Sequence, residues 1–171
     1  MLKGQLRKLQ SQLKTPIEYA MPLADEFFPL NPLLGKTISL TFLEKIECLH
    51  CGKATNKSFN QGYCYLCFRQ LAACDLCIMR PELCHYAQGT CREPTWAEQH
   101  CMQPHIVYLA NTSALKVGIS RQSQIPTRWI DQGAEQALPI FSVRTRYQSG
   151  VIESVLKQWV SDRTNWRLML Q

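Results

Sequence analysis

Between Lys36 and Ile46 the apolar residues Ile38, Leu40 and Phe42 alternate with Thr37, Ser39 and Thr41. Alternation with period two predicts a strand with one buried face. Shorter alternating runs lie at Gly4 to Gln12 and Pro16 to Leu23, with breakers at Pro29 to Pro32 and at Gly35. Residues 1–47 therefore predict a small antiparallel sheet or partial barrel, only marginally stable by itself. The pattern then changes. Residues 48–101 are rich in turn formers, scatter their apolar side chains and offer one helix, Tyr65 to Ala73. Further on, Ile106 to Ala110 and Leu115 to Ser120 read as strands around an Asn111-Thr112-Ser113 turn. A polar loop from Arg121 to Thr127 leads to a short helix, Arg128 to Ala137, and a third strand, Pro139 to Thr145. Gly150 precedes a helix from Val151 to Ser161. Its residues Val151, Ile152, Val155, Leu156, Trp159 and Val160 recur at helical spacing and predict the buried stripe. The expected class is α+β, in three segments: a β-rich 1–47, a cysteine-rich 48–104, and a β-β-α-β-α domain at 105–171.

With 171 residues, 46% hydrophobic and 19% charged, the chain falls in the globular range. No run approaches the ~20 consecutive apolar residues of a membrane helix. The opening Met1-Leu2-Lys3-Gly4-Gln5 shows no export signal, so a cytoplasmic protein without membrane association is expected. In such a setting the nine cysteines read as metal thiolates and not as disulfides. All nine fall in 48–101, where too few apolar residues gather to form a core. Metal is the natural substitute.

Cys48 and Cys51 form a Cys-x2-Cys knuckle followed by Gly52, and Cys64 and Cys67 form a second pair after twelve intervening residues. Two such pairs present four thiolates to one tetrahedral zinc, in an arrangement that resembles a treble clef. The second pair opens the expected helix, whose first amides favour thiolate. A further knuckle, Cys74 and Cys77, precedes Cys84, His85, Cys91, His100 and Cys101. The simplest second zinc site takes Cys74, Cys77, Cys84 and Cys91. Exchange of Cys101 or His85 for one of the last two is an open alternative, and an iron–sulfur cluster needs the same donors. Sites closed by four protein ligands are structural. His50 and His105 read as ordinary polar residues.

Of the net charge of +6, +4 lies in residues 105–171, where eight Lys/Arg face four Asp/Glu. A localised basic excess suits a phosphate-bearing partner, although a solvated face has the same composition. Arg121, Arg144 and Arg146 are the candidate nucleic-acid contacts.

Ile106-Val107-Tyr108, Lys116-Val117-Gly118, Arg128 with Trp129, and Gly150-Val151-Ile152-Glu153 stand in an order that resembles the GIY-YIG nuclease superfamily. Here the first glycine of that pattern is replaced and lysine takes the leading position of the second motif. The resemblance implies a phosphodiesterase in which Glu153 holds a catalytic Mg2+, Arg128 grips the scissile phosphate, and Tyr108 accepts a proton or orients water. Lys116, beside Tyr108, would favour the phenolate. Such a role requires the tyrosine pKa to fall from its ordinary value near 10. The whole chain also resembles an uncharacterised bacterial family. That likeness rests on Gln61-Gly62-Tyr63-Cys64, Gly89-Thr90-Cys91-Arg92-Glu93, Lys116-Val117-Gly118-Ile119 and Arg128-Trp129-Ile130-Asp131-Gln132-Gly133-Ala134. Two other functions suit the same residues: a non-catalytic binder of nucleic acid such as rRNA or tRNA, and an adaptor whose zinc knuckles hold another protein.

Overall fold

The computed structural model describes residues 3–169. Strands β1 (Gln10–Gln12), β2 (Glu18–Leu23) and β3 (Glu26–Pro29) form an antiparallel meander in that order. Only Ala24 and Asp25 separate the paired Leu23 and Glu26. A connection this short demands positive φ, and Ala24 supplies it at 53°. Asn31 pins the far end: its Nδ2 donates to Ile17 O and its Oδ1 accepts from Tyr19 N, both at 2.8 Å.

The small antiparallel sheet expected of this segment is present, built partly from other residues. Glu26–Pro29 supplies the third strand, and of Gly4 to Gln12 only the last three residues belong to β1. Residues 37–46 form no regular element, and Ile38, Leu40 and Phe42 stay exposed. Alternation prepares a strand, but a ladder also needs a neighbouring backbone, and no described strand pairs here.

Residues 47–64 are two linked turns, after which α1 (Tyr65–Gln70) begins. Short helical pieces follow: a 3-10 turn at Ala72–Cys74, α2 (Leu76–Met79), 3-10 turns at Pro81–Leu83 and Tyr86–Gln88, and α3 (Pro94–His100). Asp75 caps α2 by accepting from Cys77 N, and Pro94 opens α3 at a position where its missing N–H is harmless.

The second antiparallel sheet comprises β4 (His105–Asn111), β5 (Leu115–Arg121) and β6 (Gln136–Val143), with β4 in the middle. Helix α4 (Thr127–Asp131) joins β5 to β6, and α5 (Arg146–Leu156) follows β6 and packs on the sheet. The order β-β-α-β-α is the expected one. Strand β4 has a neighbour on each edge and α5 packed on the sheet, and its His105, Val107, Tyr108 and Ala110 are buried. Residues after α5 return to the edge of β5, where Val117 N donates to Ser161 O at 2.8 Å, and α6 (Trp166–Met169) ends the described chain.

Helix α5 differs from its expected form. It begins at Arg146 behind the N-cap Thr145, whose hydroxyl accepts from Gln148 N, and it stops at Leu156. Its buried residues are Ser149, Gly150 and Glu153, while Val151, Val155 and Trp159 of the predicted stripe are exposed. The small pair Ser149-Gly150 allows the helix backbone to reach the Pro81–Leu83 turn, and this contact sets the helix rotation.

The chain groups into two compact units, Met1–Tyr65 and Leu66–Gln171. The compositional segment 1–47 lies in the first, 105–171 lies in the second, and the cysteine-rich stretch contributes to both. The architecture is a mixed α+β fold with two small antiparallel sheets and a cysteine cluster. No helix among the described residues is long and apolar enough to cross a membrane.

Candidate functional site

Backbone bonds shape the first cysteine knuckle: Cys48 N–H donates to Lys53 O (3.0 Å) and Gly52 N–H to Cys48 O (2.9 Å). Gly52 takes a φ of 70°, which explains glycine after the knuckle. The next turn reverses through Asn60 and Gln61, both at positive φ, and Leu49 N–H reaches Gly62 O at 2.7 Å. Cys64 and Cys67 are thereby held against Cys48 and Cys51. All four sulfurs lie within 4.8 Å of one another, with Cys51 and Cys64 3.9 Å apart. Zn–S bonds of ~2.3 Å in a tetrahedron separate sulfurs by about 3.8 Å, so the spacing fits one ion. Burial opposes ionisation of Cys48, but the backbone N–H groups of Cys51, Cys64 and His50 outweigh it and bring the thiol down to about 6. Cys48, Cys51, Cys64 and Cys67 are positioned to bind a metal ion such as zinc. With four thiolates and no open position, such a site stabilises structure.

The later cysteines gather differently from the simplest expectation. Cys77, Cys84 and Cys91 line one small cavity, whereas Cys74 is buried without lining it and Cys101 takes a place in its wall. Among the described donors of this region, those that form a group within 4.8 Å of one another are Asp75, Cys77 and His85. Burial, reinforced by Asp75 and by the Cys84 and Cys101 sulfurs, pushes the Cys77 thiol up to about 12.

Tyr108, Lys116, Arg128 and Glu153 are brought together in the second unit. On adjacent strands Tyr108 pairs with Gly118 and Ala110 with Lys116, so Tyr108 and Lys116 share one face of the sheet as diagonal neighbours. Gly118 leaves the space the phenol fills, since a Cβ there would stand 2.8 Å from Tyr108 Cζ and Oη. The Tyr108 hydroxyl donates to Gln132 Oε1 at 2.8 Å, with the exposed Arg128 beside it. Lys116 Nζ donates to Thr164 Oγ1 at 2.9 Å and lies near Arg128, Asp162 and Glu153. Glu153 is 9% exposed. The Lys157 ammonium stands between two carboxylates, 3.7 Å from Glu153 and 3.0 Å from Asp162.

The protonation states follow from burial. It raises the Tyr108 phenol above its ordinary value, although Arg128 and Gln132 oppose the shift. A proton-accepting phenolate needs the reverse, so Tyr108 is a donor in this environment. Burial likewise raises Glu153 and lowers Lys116, which weakens both charges.

The three expected nucleic-acid contacts separate. Arg144 is exposed, and Arg121 is half-buried at the end of β5 opposite His105. Arg146 points inward: its Nη2 donates to Ile78 O at 2.7 Å, and its Nε is buried without a partner. That removes it from a phosphate-binding face. His105 is buried, with Nδ1 against Gln103 O at 2.7 Å and Nε2 lacking a partner. Sequence reasoning did not single out Thr164 or Asp162; it read Lys157 only as a surface partner of Glu153, and Gln132 only as part of the stretch that carries the family likeness. Gln132 stands four residues after Arg128 and Lys157 four after Glu153, a helical spacing that was readable; Thr164 and Asp162 come from an irregular segment with no such signal.

A profile for proteins described as "Protein of unknown function (DUF2797)" matches residues 35–171, which include every cysteine and the whole β4–α5 region. No curated protein and no solved structure matches the chain.

Proposed function

Because the chain belongs to this family of proteins of unknown function, DUF2797, its activity must be read from its own residues, and we propose that it is a zinc-stabilised phosphodiesterase acting on DNA or RNA. A second thiolate-bound zinc within residues 74–101 accompanies the first. The likeness of the β4–α5 region to GIY-YIG nucleases belongs to the same proposal. One observation carries it: Tyr108, Lys116, Arg128 and Glu153, dispersed over 46 positions of sequence, share one electrostatic neighbourhood.

Each residue has a role that its surroundings permit. Arg128, exposed and planar, is suited to grip two oxygens of a backbone phosphate. Tyr108 keeps its proton and, with its hydroxyl on Gln132, supports the neighbouring Arg128 from within. Lys116, buried beside Arg128, adds positive potential where charge develops. Glu153 and nearby Asp162 offer the hard oxygen donors that suit Mg2+, which when bound would stabilise the leaving oxygen as a Lewis acid. Lys157 now holds a cationic group between these two carboxylates. The basic excess of residues 105–171 would draw the polyanion to this region.

A second reading has a specific observation behind it. Tyr108 is fully buried and already hydrogen-bonded, and Lys116 is satisfied by Thr164, as in a polar core beneath a phosphate-binding surface. On that reading the protein binds nucleic acid without cleaving it.

A cleavage assay with Mg2+ or Mn2+ on structured DNA and RNA separates the two. Phosphodiesterase activity predicts cleavage that Glu153→Ala lowers by at least ~100-fold, in line with the loss of one charge-stabilising group. Cleavage that survives Glu153→Ala contradicts the proposal. Binding that weakens steeply with salt, without cleavage by the intact protein, establishes the binder instead.

A further inference from the structure

We infer that Cys77, Cys84, Cys91 and Cys101 bind one zinc ion, with Cys74 outside the ligand set and the nearby Arg146 guanidinium offsetting part of the thiolate charge. This assignment rests on the second zinc proposed above and specifies its ligands.

The cavity carries the first part of the argument. Its wall contains these four cysteines together with apolar Ala72, Ile78, Trp96 and Ala97. Its volume is ≈ 10 Å³, close to the space of a single water-sized sphere. That suits a lone ion surrounded by sulfur. Cys74 does not reach the cavity.

The two non-sulfur donors nearby are committed elsewhere. Asp75 accepts from Cys77 N at 3.3 Å and pairs with Arg92 Nε at 2.7 Å. His85 uses Nδ1 against Thr90 Oγ1 at 2.8 Å and turns Nε2 toward Asp75 at 3.6 Å. Both therefore brace the ligand loop, in the manner of groups that orient metal ligands without touching the ion.

Arg146 supplies an independent observation. Its guanidinium lies beside Cys101 and Cys77, and its Nε is buried with no acceptor. Its backbone N–H donates to Cys101 O at 2.8 Å, which joins the start of α5 to that cysteine. A buried N–H requires an acceptor, and a metal-bound thiolate is one. On binding, Zn2+ displaces four thiol protons to solvent and leaves a complex of charge 2−; Arg146 offsets one of those charges. Arg146 is also the first residue of α5, the helix that carries Glu153, and the Pro81–Leu83 turn between Cys77 and Cys84 packs against Gly150 of that helix. The ion thus fixes the start of α5 and, through it, the placement of Glu153.

The test is zinc content of the full-length chain, measured by elemental analysis. Wild type should hold two ions per chain, Cys74→Ala two, Cys101→His two, and Cys101→Ala one. Arg146→Met should lower affinity for the second ion by about 10–100-fold, as loss of a ligand-supporting group does, and leave the first unchanged. Should Cys101→Ala fail to fold, the wild-type protein loaded with 113Cd answers the question by 1H–113Cd correlation, where the Cys101 β-protons should couple to cadmium and those of Cys74 should not. Two ions with Cys74 coupled in place of Cys101 overturn the ligand assignment alone. A single ion per chain overturns the assignment together with the second-zinc reading beneath it.

Discussion

At Glu153 a carboxyl group sits on the buried side of α5 with the Lys157 ammonium 3.7 Å away. Burial outweighs that partner and holds the carboxyl pKa above its ordinary value. The folded chain then binds this proton more tightly than the unfolded chain does. Stability accordingly falls as pH rises from the ordinary carboxyl range through the raised value. Glu153→Gln removes the charge and with it this penalty. The variant should gain in urea midpoint over the parent at about pH 8, and the gain should shrink toward about pH 5, with zinc present throughout; equal differences at both pH values would contradict the buried-charge account. The four residues of this neighbourhood were legible in the sequence as an ordered set, because motif spacing survives in one dimension. Their protonation was not. The phenolate expected at Tyr108 assumed access to water, whereas Gln132 and Trp129 enclose the ring. Enclosure depends on neighbours that spacing does not reveal.

Elements formed where a local signal and a tertiary partner agreed. Strand β4, a continuous apolar run, and β5, an alternating one, are joined by a short turn and match the expected runs closely. The stretch Lys36 to Ile46 has the alternation without a partner and remains irregular. Helix α3 lies in a segment of scattered apolar residues, yet Pro94 at its first position was a start signal that periodicity alone passes over. In α5 the apolar stripe gave only part of the face: Ile152, Leu156 and Val160 are half-buried, but close approach at Gly150 leaves Val151, Val155 and Trp159 exposed. A Cβ at Gly150 would collide with the Pro81 side chain and stand 2.8 Å from Glu82 N and 2.9 Å from Pro81 C. Alanine in place of a mid-helix glycine ordinarily gains ~1 kcal/mol. Overpacking against backbone costs ~1–3 kcal/mol, and it dominates here. Gly150→Ala should lower the urea midpoint, and a rise would show that α5 and the Pro81–Leu83 turn are not in tight contact.

Across the whole molecule, regular structure is sparse between Glu47 and Cys101, and the elements there are one to two turns long. Pieces of that length cannot hold themselves together by backbone bonds. Among the described residues of this stretch cysteine makes up four of the six buried apolar residues, which leaves little hydrocarbon to do so. Metal at the four-cysteine site is the substitute proposed here. This much was readable from the chain, since two Cys-x2-Cys pairs fold locally and bring their ligands along. The proposed second tetrad was readable only as one of several alternatives, because Cys101 comes from the end of α3 and only the folded chain shows it in the wall of that cavity. The most direct test is backbone amide exchange of the full chain under reducing conditions, with bound metal and after its removal by a chelator. Protection across residues 48–101 should vanish on removal and return when zinc is restored. Protection that persists in the metal-free chain would contradict the account.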